Sequence, residues 1–194
     1  MQDEPVFEYH SDESIISFSL PDSSKKSIKI NPGWSFGTGN HETTRLCIKA
    51  LEEVFKNQHL KDVLDIGCGS GVLSICASSL GATNITGIDI DSSIIEEAKY
   101  NALNNNQSDF IKFSSKPLSE IEQKFQLIIA NILLETVEGL LPEILKKIAN
   151  KSFLIVSGIR IEEAQKAKDL FTRSGFELKN QSCEKEWIAF TFQL

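Results

Sequence analysis

Gly67, Gly69 and Gly71 stand one residue apart, with Asp65 before them and Asp89 lying 22 residues after the first glycine. Glycines at this spacing let a backbone bend tightly and approach a ligand closely, and the free N–H groups that open the next helix face the same crevice. A carboxylate at the tip of the following strand can accept both hydroxyls of a ribose. The chemistry such a set serves is the binding of a nucleoside-containing cofactor. A dinucleotide fingerprint requires Gly or Ala as its last member. This chain has Val72 there, so the pattern is DxGxGxG beginning at Asp65. A further polar residue, Asn131, closes the apolar run QLIIAN. Ligands of open α/β sheets sit outside the carboxyl ends of the strands, which aims Asn131 at the crevice of Gly67 and Asp89. The plainer alternatives are an Asn that satisfies its own turn and glycines that serve only a strand-to-helix turn. The latter leaves Asp89 and the third glycine unexplained.

The elements that must position these residues follow from periodicity. VLDI reads as a strand buried on both faces, VLSICASSL as a helix stopped by Gly81, and NITGIDI as the next strand. A helix follows through SSIIEEAKYNALNNN, capped by Asp91 or Ser92, with Ile95, Ala98 and Ala102 inward. DFIKF, QLIIANI and SFLIVSGI read as further strands, and IEEAQKAKDLFTRSG as an amphipathic helix closed by Gly175. In LLETVEGLLPEILKKIA the helical pattern is interrupted by Gly139 and Pro142, which predicts a bend or two helices. The end, FELKNQSCEKEWIAFTFQL, reads as an antiparallel strand pair. Ahead of the glycines, residues 1–13 are polar and read as loose, and two short strands carry Ile16, Phe18 and Leu20, then Ile28 and Ile30. NPGWSFGTGNHETT is irregular, and it leads into a helix with the apolar stripe Leu46, Ala50, Leu51, Val54 and Phe55, capped by Thr43 or Thr44. Strands alternating with helices from residue 61 predict an α/β fold with a doubly wound, mainly parallel, Rossmann-like sheet. To this sheet are added the C-terminal antiparallel pair and a short N-terminal β extension. The expected division is residues 1–30 for the extension and 31–194 for the cofactor-binding domain.

Composition bounds the function. At 194 residues, 41% hydrophobic and 24% charged, the chain has the balance of an ordinary soluble domain, without an apolar run long enough to span a membrane. Cys47, Cys68, Cys76 and Cys183 form no CxxC pair and His10, His41 and His59 are scattered, so neither a disulfide framework nor a metal site is expected. That usage fits a reducing cytoplasm. A net charge of −7 disfavours a phosphate backbone as partner and suits a basic protein segment.

The DxGxGxG loop resembles the first motif of the class I methyltransferases that use S-adenosylmethionine. FGTGNHETT, LDIGCGSG, GIDID, ANIL, SGI and KEW occur in the order and near the spacing of the bacterial methyltransferases that modify lysines of ribosomal protein L-eleven. The resemblance covers about residue 31 to the end, and ANIL is its most informative piece. It implies that Thr44 and Gly67 contact S-adenosylmethionine, that Asp89 binds its ribose, and that Asp65, Gly69 and Gly71 complete the loop. Asn131 is then cofactor-binding and catalytic, beside the reacting methyl and the incoming amine. Two departures stand out. Asn40 and Glu42 replace the family's usual threonine and proline, and an acid at 42 is expected to alter how the substrate backbone approaches. Family members also carry a substrate-recognition domain ahead of the catalytic one, and the roughly thirty residues before PGWSFGTG are too few for it.

The expected reaction is methyl transfer to an amine nitrogen of a protein, with lysine of a ribosomal protein favoured. Lysine titrates near 10.4, so presenting a neutral amine at neutral pH costs about 4 kcal/mol. Desolvation by Phe36 and Ile132 would lower that cost, and the Asn131 side-chain oxygen can hold the remaining N–H without carrying charge. No general base is assigned, and His41 reads as surface structure. Nucleobase amino-methyltransferases also place Asn at this strand tip, but follow it with Pro-Pro and an aromatic ring. Here Ile132, Leu133 and Leu134 follow. A small-molecule amine acceptor and a non-catalytic cofactor-binding scaffold are the remaining alternatives.

Overall fold

The computed structural model describes residues 5–9, 13–31 and 41–194. Phe36, Asn40 and the FGTG run therefore lie outside the described residues. The chain begins with strands β1 (Val6–Tyr9), β2 (Ser14–Ser19) and β3 (Lys25–Ile30), followed by helix α1 (Glu42–Asn57). Then come β4 (Asp62–Ile66), α2 (Val72–Ser79), β5 (Asn84–Ile88), α3 (Ser92–Asn104), β6 (Ile111–Ser114) and β7 (Phe125–Asn131). The remainder is α4 (Leu134–Lys147), β8 (Ile148–Arg160), α5 (Ala164–Arg173), β9 (Glu177–Glu184) and β10 (Trp187–Gln193).

Seven strands form one sheet in the order β6-β5-β4-β7-β8-β10-β9. The pairs from β6 to β8 are parallel, and β10 runs antiparallel to both β8 and β9. The strand order turns between β4 and β7, which makes their carboxyl ends the switch point of the sheet. Alternation along the central strands explains why it is covered on both faces. Val63, Leu127, Ile129 and Ile155 enter one apolar cluster with α1 and α2, while Leu64, Ile128, Ala130 and Val156 enter the other with α4 and α5. Successive side chains of a strand point to opposite faces, so a continuous apolar run supplies two cores at once.

The N-terminal strands form an antiparallel sheet of three, β1-β2-β3. Residues 6–9 are thus not loose, as expected for the stretch 1–13 as a whole, but pair as VFEY with β2 in the register Val6↔Ser17 to Tyr9↔Ser14. Ile16, Phe18, Ile28 and Ile30 project from this sheet into the first cluster.

Two further local expectations are corrected. Helix α1 is capped by His41, not by Thr43 or Thr44: the His41 Nδ1 accepts from the Thr43 N–H at 3.3 Å and lies 2.9 Å from its Oγ1. Both threonines sit inside the helix and are buried. Helix α4 is one helix that runs through Gly139 and Pro142, both of which are exposed. Leu134, Val137, Leu141 and Ile144 make its buried stripe. Packing of that face outweighs two poor helix formers on the solvent side. The helix ends at Lys147, and Ile148 already belongs to β8, which bulges before Phe153 with Lys151 at a φ of 59°.

Candidate functional site

A cavity of about 690 Å³ opens at the carboxyl ends of β4, β5, β7 and β8, in the size range of small-molecule sites. Gly67, Gly69, Asp89 and Asn131 all line it. The glycine loop is built over the end of β5: the N–H groups of Gly67 and Cys68 both donate to the Ile88 carbonyl, at 2.8 and 3.0 Å. Gly71 then caps α2.

Gly67 has a φ of +70°, a conformation that side chains with a Cβ resist, and a methyl group there would stand 2.6 Å from Ile132 Cγ2. Gly158, on β8, approaches the same residue from the other side: an added methyl would lie 2.8 Å from the Ile132 carbonyl oxygen. Ile132 is thus pinched between two glycines, and this fixes where the chain leaves β7 and where Asn131 stands.

Asp89 follows β5 and is half-buried. Its Oδ2 accepts from the Gly69 N–H at 3.1 Å and its Oδ1 from the Asp91 N–H at 3.2 Å. An ionised carboxylate offers about four lone-pair sites. Two are used here, so capacity remains for a diol while the acid also ties down the loop. Asp65 does not reach the cavity wall. It is buried between β4 and α2, accepts from Ser74 Oγ at 2.7 Å, and its carboxyl is pushed up to about 6 by burial, with Asp89 adding in the same direction.

Asn131 pairs with Ser157 of β8, and its Oδ1 is buried with no hydrogen-bond partner among the described residues. A buried acceptor left unmatched costs about 1–3 kcal/mol, which marks this atom as one awaiting a donor. Thr44 is fully buried with its Oγ1 likewise unmatched, but Thr43, not Thr44, is the threonine on the cavity wall. Of the residues expected from the sequence, the structure brings Gly67, Gly69, Asp89 and Asn131 together. Asp65, Gly71 and Thr44 stand behind the wall.

Other lining residues were not singled out from the sequence. Trp187 lies across from His41 with ring centres 5.2 Å apart and the planes at 65°, and the Arg160 guanidinium sits 5.0 Å over the indole. Ile90 and Leu133 form an exposed apolar rim. Only the KEW and SGI segments hinted at Trp187 and Gly158. Glu42 is held elsewhere: it pairs with Arg45 at 3.2 Å and with Lys185 of the β9–β10 turn, and the Lys185 ammonium keeps its carboxyl down at about 2. Arg45 Nε in turn donates to Glu184 at 3.0 Å, so this cluster fastens the start of α1 to the C-terminal hairpin.

A family profile described as ribosomal protein L11 methyltransferase (PrmA) matches residues 13–194. The ribosomal protein L11 methyltransferase of Geotalea daltonii is 40% identical over 176 residues, covering 86% of this chain and 56% of that protein. The enzyme of the same name from Clostridium botulinum is 36% identical over 175 residues, covering 90% and 55%. The chain spans about half the length of the curated relatives it matches. The crystal structure of a ribosomal protein L11 methylase from Lactobacillus delbrueckii subsp. bulgaricus superposes with a TM-score of 0.76 at 30% identity, over 84% of this chain and 82% of that one. With the glycine loop, Asp89 and Asn131 converging at one switch point, these likenesses agree: the chain belongs to the ribosomal protein L11 methyltransferase family.

Proposed function

We propose that the chain binds S-adenosylmethionine in the 690 Å³ cavity and transfers its methyl group to an amine nitrogen of a protein, a lysine of a basic ribosomal protein being the favoured acceptor. The observation that carries this reading is the buried, unmatched Asn131 Oδ1 on the wall that also holds Gly67, Gly69 and Asp89. When bound, the cofactor supplies a sulfonium methyl ready for in-line displacement by a lone pair.

The residues present fit that group. Gly67 lines the cavity and lets the loop close against Ile132, where any Cβ would collide, and Asp89 keeps acceptor capacity for the ribose diol. Displacement of this kind gains most of its rate from positioning. Asn131 Oδ1 accepts an N–H of the incoming amine and so orients the nitrogen lone pair. It does so without charge, leaving the neutral amine undisturbed. Ile132 and the exposed Leu133 present apolar surface beside it, which excludes water and favours the neutral over the protonated amine. His41 is committed as the cap of α1, in keeping with a reaction in which the amine reaches the site neutral. The acidic chain, at −7, attracts a basic acceptor. Gly69 completes the cofactor wall in this reading, and Thr44, Asp65 and Gly71 support the cofactor site from behind it, Asp65 and Gly71 by shaping the loop. Residues 31–194 are its catalytic domain and 1–30 its β extension.

The test is transfer of labelled methyl groups to the proteome of cells that lack this protein, followed by mass spectrometry. Trimethylated or lower methylated lysine on a ribosomal protein supports the reading. Label found only in small amines, or no transfer despite cofactor binding, overturns the acceptor or the enzyme assignment respectively.

A further inference from the structure

Helix α3 and its C-cap present two asparagines four residues apart, Asn101 and Asn105, that face the free edge of β3. Because β2 covers the other edge of β3, the outward peptide groups of that strand need partners. Asn105 supplies both kinds, accepting from the Lys29 N–H at 2.9 Å and donating to the Lys29 carbonyl at 2.6 Å. Asn101 behaves differently. Its Oδ1 accepts from the Asn31 N–H at 3.0 Å, but its Nδ2 donates to the Ser70 carbonyl at 2.9 Å. Ser70 lies inside the glycine loop, between Gly69, whose N–H is bound by Asp89, and Gly71, which caps α2.

Asn101 is wholly buried, and Asn is an indifferent helix former, so its place in α3 answers a tertiary demand. One amide thereby holds two chain segments about 40 residues apart, using its donor on one and its acceptor on the other. Neither Asn101, Ser70 nor Asn31 lines the cavity. We propose that Asn101 is a positioning residue that keeps the glycine loop in its cofactor-binding shape and couples that loop to the N-terminal sheet. The proposal rests on the S-adenosylmethionine reading of the cavity.

The test compares two substitutions by calorimetry with S-adenosylhomocysteine. Asn101→Asp keeps the acceptor for Asn31 but sets an oxygen against the Ser70 carbonyl, while Asn105→Ala frees β3 without touching the loop. Both should lower the melting temperature. Asn101→Asp should weaken the ligand by about tenfold or more, and Asn105→Ala by less than about twofold. Unchanged affinity in Asn101→Asp, or equal weakening in both, would reduce Asn101 to a structural fastening and overturn the proposal. Hydrogen exchange on the wild-type protein decides the matter if Asn101→Asp does not fold. Ligand should slow exchange at Asn31 as well as in the glycine loop, and protection confined to the loop contradicts the coupling. A wild-type chain that binds no S-adenosylhomocysteine at all fails the cofactor reading itself.

Discussion

Asn131 and Asp89 line one cavity, and substitution should separate the different duties proposed for them. In the proposed reaction Asn131 orients an amine whose geometry matters most in the transition state, so Asn131→Ala should lower kcat by about a hundredfold or more. Cofactor affinity should stay within a few-fold, because the cradle at Gly67 and Asp89 is intact. Activity near the wild-type rate would remove Asn131 from the chemistry. Asp89→Ala removes both the proposed ribose acceptor and the Gly69 anchor at 3.1 Å. Loss of charge-assisted bonds of about 1.5–3 kcal/mol corresponds to one to two orders of magnitude in S-adenosylmethionine affinity, measured by calorimetry. Asp65 makes a prediction about pH. Its folded-state carboxyl, pushed up to about 6 by burial, lies above its ordinary value of 3.8. The folded chain therefore binds more protons than the unfolded one between those values, and stability falls as pH rises. Asp65's contribution is fully present below about pH 3.8 and lost as pH passes about 6. Urea unfolding across that window should show the wild type losing stability relative to Asp65→Asn as pH rises, and parallel profiles would contradict it.

Helix α4 lies between β7 and β8, and its start forms one lip of the cavity through Leu133 and Thr136. Its continuity through Gly139 and Pro142 is maintained by the buried stripe from Leu134 to Ile144. Gly139 sits on the exposed side, and a methyl group added there meets nothing within 4 Å. Gly139→Ala should therefore stabilise the protein by about 0.5–1 kcal/mol in urea unfolding, through helix propensity alone. A loss of stability would show that the backbone at Gly139 is not free to take a helical residue. The C-terminal hairpin is held from the other side by aromatic packing, in which Phe192 of β10 lies 4.8 Å from Phe171 of α5 between ring centres. That contact joins the last strand to the last helix, and it locates Trp187 at the cavity by fixing the strand that carries it.

At the scale of the whole molecule, the two faces of the seven-stranded sheet are sealed by separate apolar clusters, and the open end of the sheet is left for ligand. The net charge of −7 acts over distances longer than any contact in the site. For a basic protein acceptor, raising ionic strength from about 50 to about 300 mM shortens the screening length below the reach of that field. KM for the acceptor should rise several-fold while S-adenosylmethionine affinity, set by contacts inside the cavity, stays nearly constant. An acceptor KM indifferent to salt would remove electrostatic attraction from the account of recognition.

The parts of this protein legible in the sequence are those encoded by near neighbours. The spacing of Gly67, Gly69 and Gly71, the ends of apolar runs at Asp89 and Asn131, and the strand–helix alternation that dictates a parallel sheet all depend on residues within a turn or a strand of one another. Strand ends in such a sheet share one rim, so three of the cavity's walls could be named before any contact was known. The rest depends on pairs far apart in the chain. The His41 ring packs edge-on against Trp187 and Glu42 is drawn to Lys185, both at the other end of the sequence. Residues 6–9 become a strand because β2 offers them an edge, and α4 stays whole because one face is buried. Ile132 is set by Gly67 and Gly158, and Ser70 is set by Asn101. Periodicity carries no information about which distant group will meet a buried one, and only the packed chain supplies it.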